Sequence, residues 1–94
     1  MPYLLIRHTI GNYAQWKPEF DDFASKRKAL GSKGGYLFRN ADNPDEIVIL
    51  LEWDTLENAR LHAQSDELRQ AMQRAGVKTR PDVYFIEEIE KVSN

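Results

Sequence analysis

Cysteine is absent from the 94-residue sequence. Disulfides, thiolate zinc sites and a catalytic thiol are therefore excluded. The only two histidines, His8 and His62, do not form a metal-binding motif, so no metal site is expected. The sequence also has no phosphate-binding loop, no dinucleotide fingerprint and no Ser-His-Asp order, so no cofactor is expected.

Long hydrophobic runs are missing as well. The longest is Ile47–Leu51, which is far too short to span a membrane. The N-terminus has no basic stretch followed by a long apolar segment, so we expect no secretory signal and a cytoplasmic location. The 13 basic and 15 acidic residues are interspersed and leave a net charge of -2. Neither nucleic acid nor a membrane surface is therefore an expected partner.

The length fits a single domain, residues 1–94. A chain of this size buries only about 60–65% of the surface that it exposes when unfolded. Additional burial through oligomerisation would stabilise such a small fold.

The first part of the chain predicts a strand followed by a helix. Tyr3–Ile10 is rich in aliphatic and β-branched residues, which favours a strand. Asn12 can cap a helix that ends at Gly31. Pro18 lacks a backbone donor, so we expect a kink at this residue or a short first turn before it.

The middle of the chain predicts a hairpin and a second helix. Strands over Tyr36–Asn40 and Glu46–Trp53 flank the turn-forming loop Ala41–Asp45. Thr55 is a suitable N-cap for a helix over Leu56–Ala63.

The stretch LHAQSDEL then interrupts that helix, because Ser65 is followed by two acidic residues, as at a helix N-terminus. The restarted helix runs to Ala75, and Val83–Ile89 forms the last strand. The order βαββαβ predicts a ferredoxin-like α+β fold, an antiparallel sheet with two helices on one face.

Both faces of the predicted sheet are apolar. Leu4 and Ile6 lie on one side of the first strand, whereas Tyr3 and Leu5 lie on the other. Two helices cover only one face, so the simplest cover for the other is a second copy of the sheet, in a symmetric homodimer. An RNA-recognition motif is excluded, because Glu46–Trp53 is aliphatic and ends acidic instead of offering stacking and basic groups.

Several segments together carry a family pattern. They are the strand PYLLIRHTI, the helix YAQWKPEFDDFA, and EWDTLENA followed by a helix that restarts at SDEL. The pattern spans nearly the whole chain and resembles the dimeric α/β barrels of the antibiotic biosynthesis monooxygenase type. The resemblance implies an eight-stranded barrel across a dimer, with a pocket between the sheet and the helices of each protomer. That family includes cofactor-independent oxygenases, haem-degrading enzymes and members without an assigned reaction.

The haem-degrading branch of this family uses an Asn on the first strand and a Trp and a His on the second helix. Counting from Trp53, the Trp position falls on His62 and the His position on Met72, and Tyr3–Ile10 contains no Asn. The resemblance therefore argues against haem degradation by that mechanism.

Three polar residues are candidate catalytic groups. His8 or His62 could act as a base at neutral pH, and the Tyr36 hydroxyl could donate to a developing oxyanion. The alternative is that His62 is a partly solvated residue on the flank of its helix and that His8 is a hydrogen-bonded histidine at the end of its strand.

Trp16, Phe20, Phe23, Trp53 and Met72 are candidate walls of a substrate pocket, or simply hydrophobic core.

Two arginines lie near these groups. We expect Arg7 to face the dimer side and form an inter-subunit salt bridge. Arg27 either extends its guanidinium to solvent or pairs with an acid of the last strand, such as Glu87 or Glu88; binding of an anion is a further alternative.

Three functions remain open from the sequence. The first is a cofactor-independent monooxygenase acting on a small, flat, largely apolar substrate that is aromatic or enolic. The second is a dimeric barrel that binds, isomerises or cyclises a small molecule without oxygen. The third is a protein with no catalytic activity.

Overall fold

A computed structural model describes all 94 residues, and its elements follow the predicted order. Each of the two helical regions consists of two consecutive helices. The elements are β1 (Pro2–Thr9), α1 (Tyr13–Asp22), α2 (Ala24–Leu30), β2 (Ser32–Asn40), β3 (Asn43–Trp53), α3 (Leu56–Ala63), α4 (Asp66–Arg74) and β4 (Asp82–Glu87). None of the helices is long and apolar enough to cross a membrane.

The four strands form one antiparallel sheet in the order β2-β3-β1-β4. This arrangement confirms the predicted ferredoxin-like α+β fold. In the central pair, Ile6 lies opposite Ile49 and His8 lies opposite Ile47. Because side chains alternate along a strand, this register places these four side chains on one face of the sheet.

The helices cover that face and leave the other open. We call the covered side the closed face and the other side the open face. On the closed face, β1 and β3 contribute side chains to a core that the helices complete. The buried core comprises Leu4, Ile6, Ile10, Trp16, Ile47, Ile49, Leu51, Trp53, Ala59 and Ala75.

The predicted helix break at LHAQSDEL is present between α3 and α4. The Ser65 hydroxyl oxygen accepts a hydrogen bond from the Leu68 N–H at 3.1 Å and donates to the His62 carbonyl oxygen at 2.9 Å. One side chain therefore caps both the end of α3 and the start of α4.

The first helix is interrupted at Phe23 and not at Pro18. α1 continues through Pro18, and Phe23 separates α1 from α2. Ala14, whose carbonyl oxygen loses its helical donor because of Pro18, is exposed, so water can hydrogen-bond to that oxygen. The backbone at Phe23 instead turns a buried aromatic ring towards the core.

The hairpin is longer and its turn tighter than predicted. β2 begins at Ser32, β3 begins at Asn43, and only residues 41–42 separate the strands. The Asn40 side-chain oxygen accepts from the Asp42 N–H at 2.8 Å, which closes the turn locally. At Gly35 an added Cβ would lie 1.8 Å from the Leu50 carbonyl oxygen, so the close approach of the two strands requires glycine.

The last strand is shorter than predicted, because β1 offers no further partner. Pro2 at the start of β1 pairs with Glu87, the final residue of β4. Ile89 therefore lies beyond the sheet and is 97% exposed.

Candidate active site

His8 lies in the interior of the closed face. Its side chain is only 3% exposed, and neither ring nitrogen has a hydrogen-bond partner. The Trp16 ring packs edge-to-face against it, with ring centroids 5.8 Å apart. Burial lowers the pKa of His8 from 6.5 to about 4, so the imidazole is neutral at physiological pH.

An aromatic row extends from His8 along α1. Phe20 stacks on Trp16 with centroids 5.1 Å apart, and the Arg27 guanidinium lies 3.9 Å from the centroid of the Phe20 ring. Arg27 also donates to the Phe20 carbonyl oxygen at 2.7 Å. The expected pairing of Arg27 with Glu87 or Glu88 is therefore wrong, because its hydrogen bond and its stacking partner both come from Phe20.

A small cavity of about 40 Å³ lies beside His8. Trp16, Phe20, Phe23 and Arg27 contribute to its wall. Its volume corresponds to little more than the space that one water molecule occupies in the liquid, about 30 Å³. With Leu68 and Met72 in their present positions, the cavity has room for a very small molecule and not for an aromatic ring.

A much larger cavity of about 670 Å³ lies on the β4 side of α4. Ile6 and Val83 line it from the sheet, while Arg69 and Arg80 line it from α4 and from the segment before β4. A volume between about 300 and 1,000 Å³ is typical of small-molecule sites. This cavity is therefore the candidate substrate site.

Leu68 and Met72 line both cavities. They are one helical turn apart on α4 and so share one side of the helix. These two side chains form the partition between the large cavity and the space beside His8. Met72 was predicted as a pocket residue, and it occupies a wall of both spaces.

His62 occupies a separate environment. Its ring is 3% exposed and packs between Trp53 and Phe23, with centroid distances of 5.0 and 5.6 Å. Burial, and then the positive charge of Arg27, lower its pKa to about 4. His62 lines neither of the two cavities beside α4, and neither does Trp53. The structure therefore does not bring His8 and His62 into one site.

Tyr36, which was predicted to donate to an oxyanion, lies on the open face of the sheet. It pairs with Leu50 across the sheet, is 66% exposed and stacks on Phe38 with centroids 5.9 Å apart. Because His8 points to the opposite face, Tyr36 cannot donate to an oxyanion formed beside His8 within this chain.

Arg7 lies on the open face, opposite Val48 of β3. It donates to Asp82 of the neighbouring strand at 2.7 Å and lies 3.6 Å from Glu46. These ion pairs are within the chain, and a salt bridge between subunits stays a prediction.

Leu68, Arg69, Arg80 and Val83 were missed as lining residues. The spacing of Leu68 and Met72 on an amphipathic helix is a signal that could have identified the first of them. The position of Arg80 at the cavity depends on how the segment before β4 folds back on β1, which no local pattern reveals.

Comparisons with known proteins agree with this architecture. A family model described as antibiotic biosynthesis monooxygenase matches residues 5–74. A search of curated proteins found no match.

Solved structures of the same shape have low sequence identity. A candidate antibiotic biosynthesis monooxygenase from Bordetella bronchiseptica is 15% identical with a TM-score of 0.79, covering 95% of this chain and 97% of that chain. A variant of SnoaB, a cofactor-independent oxygenase from Streptomyces nogalater, is 15% identical with a TM-score of 0.76, covering 99% and 97%. A candidate monooxygenase from Caulobacter crescentus is 17% identical with a TM-score of 0.74, covering 95% and 90%.

At these identities the solved structures establish the shared fold, and the family model covers most of the chain. The protein belongs to the antibiotic biosynthesis monooxygenase family.

Proposed function

We propose that this protein is a cofactor-independent oxygenase of a small, flat, largely apolar substrate with an acidic C–H or enol group. The observation that carries the proposal is His8, a buried imidazole with two unpartnered nitrogens beside a cavity system. Buried polar groups are nearly always hydrogen-bonded, so an unpartnered one next to a cavity favours a role towards a ligand. The similarity in fold to SnoaB supports oxygen chemistry.

His8 acts as the general base in this proposal. It is already neutral, since burial holds its pKa at about 4, and can accept a proton. Charging it in the empty site costs about 3 kcal/mol more than charging an ordinary imidazole. A substrate anion formed beside the imidazolium offsets that cost, so proton transfer is favoured only when the substrate is in place.

The oxidation balances without a cofactor when the substrate supplies the electrons. His8 removes a proton from an activated CH₂ group, and the resulting carbanion or enolate reacts with O₂ to form a hydroperoxide. Loss of water from the hydroperoxide converts the CH₂ carbon to C=O. One oxygen atom enters the product and the other leaves as water, so a four-electron oxidation of carbon matches the four-electron reduction of O₂.

The substrate reaches His8 from the large cavity. The Leu68 and Met72 side chains must move to join the two spaces, and an unbranched methionine changes rotamer easily. Trp16 and Phe20 then provide the wall for a flat ring. Arg27, at the end of the aromatic row, favours a nearby anion electrostatically.

A second candidate function uses the same base without oxygen. Proton removal at His8 and return of the proton to another carbon would isomerise an enolisable substrate. The same unpartnered imidazole favours this alternative, because it requires only a base beside an apolar cavity.

We also propose that the protein acts as a homodimer through the open face. Tyr36, Phe38 and Tyr84 are more than half exposed there, and no helix covers them. Arg7 and Asp82 at one end of the face pair with each other, so these two charges do not oppose contact with a second copy.

The test of the oxygenase proposal is oxygen uptake with a panel of anthrones, quinols and phenols, comparing the wild type with His8→Gln and His62→Gln. Glutamine is polar but does not accept a proton at neutral pH. His8→Gln is expected to lower kcat/KM by about 100-fold or more, as for loss of a general base. His62→Gln changes it by no more than about 3-fold, since His62 lines a different cavity, together with Lys26 and Glu67.

Urea unfolding of both variants checks that they remain folded. Full oxygen uptake in His8→Gln contradicts His8 as the base. If substrates exchange protons under anaerobic conditions and consume no oxygen in air, the isomerase is the correct function.

A further inference from the structure

The large cavity is lined by both apolar and charged side chains. Ile6, Leu68, Met72 and Val83 offer an apolar surface of the kind that accommodates a hydrocarbon or aromatic body. The charged residues that line the cavity are both arginines, Arg69 and Arg80, and no Asp or Glu is among them.

The charge at the cavity is positive, whereas the net charge of the whole chain is negative. The sequence carries 15 acidic and 13 basic residues and a net charge of -2. A cavity lined by two cations in an acidic protein is complementary to an anion and not to a neutral or cationic ligand.

The two arginines differ in their partners. Arg69 is exposed and donates to Asp66 at 3.1 Å, so a carboxylate of the chain already neutralises part of its charge. Arg80 is exposed as well, and its guanidinium has no hydrogen bond, no ion pair and no aromatic ring beneath it within the chain.

The other arginines all have partners. Arg7, Arg69 and Arg74 pair with carboxylates, Arg27 donates to a carbonyl oxygen, and Arg39 and Arg60 lie over aromatic rings. Arg80 is therefore the arginine whose five donors are available to a ligand.

The segment that carries Arg80 is anchored to the end of β1. The Thr79 hydroxyl oxygen accepts from the Thr9 N–H at 3.0 Å, and the Lys78 N–H donates to the Thr9 carbonyl oxygen at 2.8 Å. Pro81 follows and restricts the backbone. This anchoring holds the backbone of Arg80 beside the cavity before any ligand arrives, so binding has only its side chain to order.

We infer that the large cavity binds an amphipathic monocarboxylate, with its apolar body between α4 and the sheet and its carboxylate on Arg80. A guanidinium binds a carboxylate through two parallel hydrogen bonds. A phosphate dianion fits less well, because Asp66 already pairs with Arg69 and leaves about one unopposed positive charge. The inference rests on the large cavity being the ligand site of the proposed function, and it does not depend on oxygen chemistry.

The experiment compares 2-naphthoate with its neutral counterpart 2-naphthamide, by anaerobic titration calorimetry on the wild type, Arg80→Gln and Arg39→Gln. Arg39 is an exposed arginine on β2 and does not line the cavity, so it serves as the matched control. We expect the wild type to bind naphthoate at least about 10-fold more tightly than naphthamide, as for a charge-assisted hydrogen bond.

Arg80→Gln should reduce that ratio to about one while naphthamide affinity stays within about 2-fold, and Arg39→Gln should keep the ratio. Equal binding of the two probes to the wild type, no binding of either, or an unchanged ratio in Arg80→Gln would each overturn the inference. A wild type that takes up oxygen but shows no carboxylate preference contradicts this inference alone, whereas a wild type that prefers naphthoate but takes up no oxygen contradicts the proposed reaction alone.

Discussion

The two faces of the sheet are built from the same strands, but one is buried under the helices and the other is exposed. Leu51 and its neighbour Leu50 are both leucines of β3, but Leu51 is 5% exposed under the helices while Leu50 lies on the open face beside Tyr36. The closed face also contains His8, a polar residue, whereas the open face exposes aromatic rings. Hydrophobicity alone therefore does not decide which side becomes the core; the helices do.

The difference also separates two tasks. The closed face holds the cavities and both histidines, so chemistry is expected there. The open face exposes several aromatic side chains, and Arg7 and Asp82 pair with each other at one end of it, which suits assembly.

The largest expected effect comes from truncating the adjacent leucines. Leu51→Ala should lower the free energy of unfolding by about 2–5 kcal/mol, because it leaves a cavity in the core. Leu50→Ala should cost about 1 kcal/mol or less in the monomer, since its side chain faces outward. Urea unfolding at low protein concentration measures both, and equal losses would contradict the assignment of the faces.

The closed face should also make stability depend on pH. The pKa values of His8 and His62 are about 4 in the folded protein, against 6.5 for an ordinary histidine. Between these values the unfolded chain binds more protons than the folded one, so stability is highest above pH 6.5 and falls as pH falls towards 4.

Each histidine should account for a loss of about 2–3 kcal/mol by about pH 4. His62→Gln should remove one of the two contributions and flatten the curve, as measured by urea unfolding between about pH 7.5 and 4.5. An identical slope in the variant would show that His62 is not buried in its neutral form.

A smaller change in free energy is expected for disrupting the open face. Phe38→Glu should weaken self-association by at least about 10-fold, because two carboxylates would then face an apolar interface. Sedimentation measures the change, with Glu57→Gln, an exposed residue of α3, as the control. A monomeric wild type at micromolar concentration contradicts the dimer.

Much of the fold follows from the sequence because its signals are local. Asn12, Thr55 and Ser65 cap helices through hydrogen bonds to residues two or three positions away, as their side chains predict. The antiparallel ferredoxin-like order follows from the alternation of these elements. The sequence placed the irregularity at Pro18, whereas the helix is interrupted at Phe23, whose ring is buried.

The candidate site was only partly accessible from the sequence. His8 could be placed on the closed face by alternation with Leu4 and Ile6. Tyr36 could not, because in β2 the large aromatic residues lie outward and Gly35 pairs with Leu51 on the inner side. Which side faces inward depends on strand register, and no local preference specifies it.

The sequence by itself determined the secondary structure, most of its boundaries, the family and the absence of thiol chemistry. Only the tertiary structure decided that His8 and His62 occupy separate environments, that Met72 stands between two cavities and that Arg80 has no partner. The physical reason is the distance along the sequence over which each effect acts. Helix caps and strand preferences act over a few residues, whereas burial, pKa shifts and cavities arise where distant segments pack together.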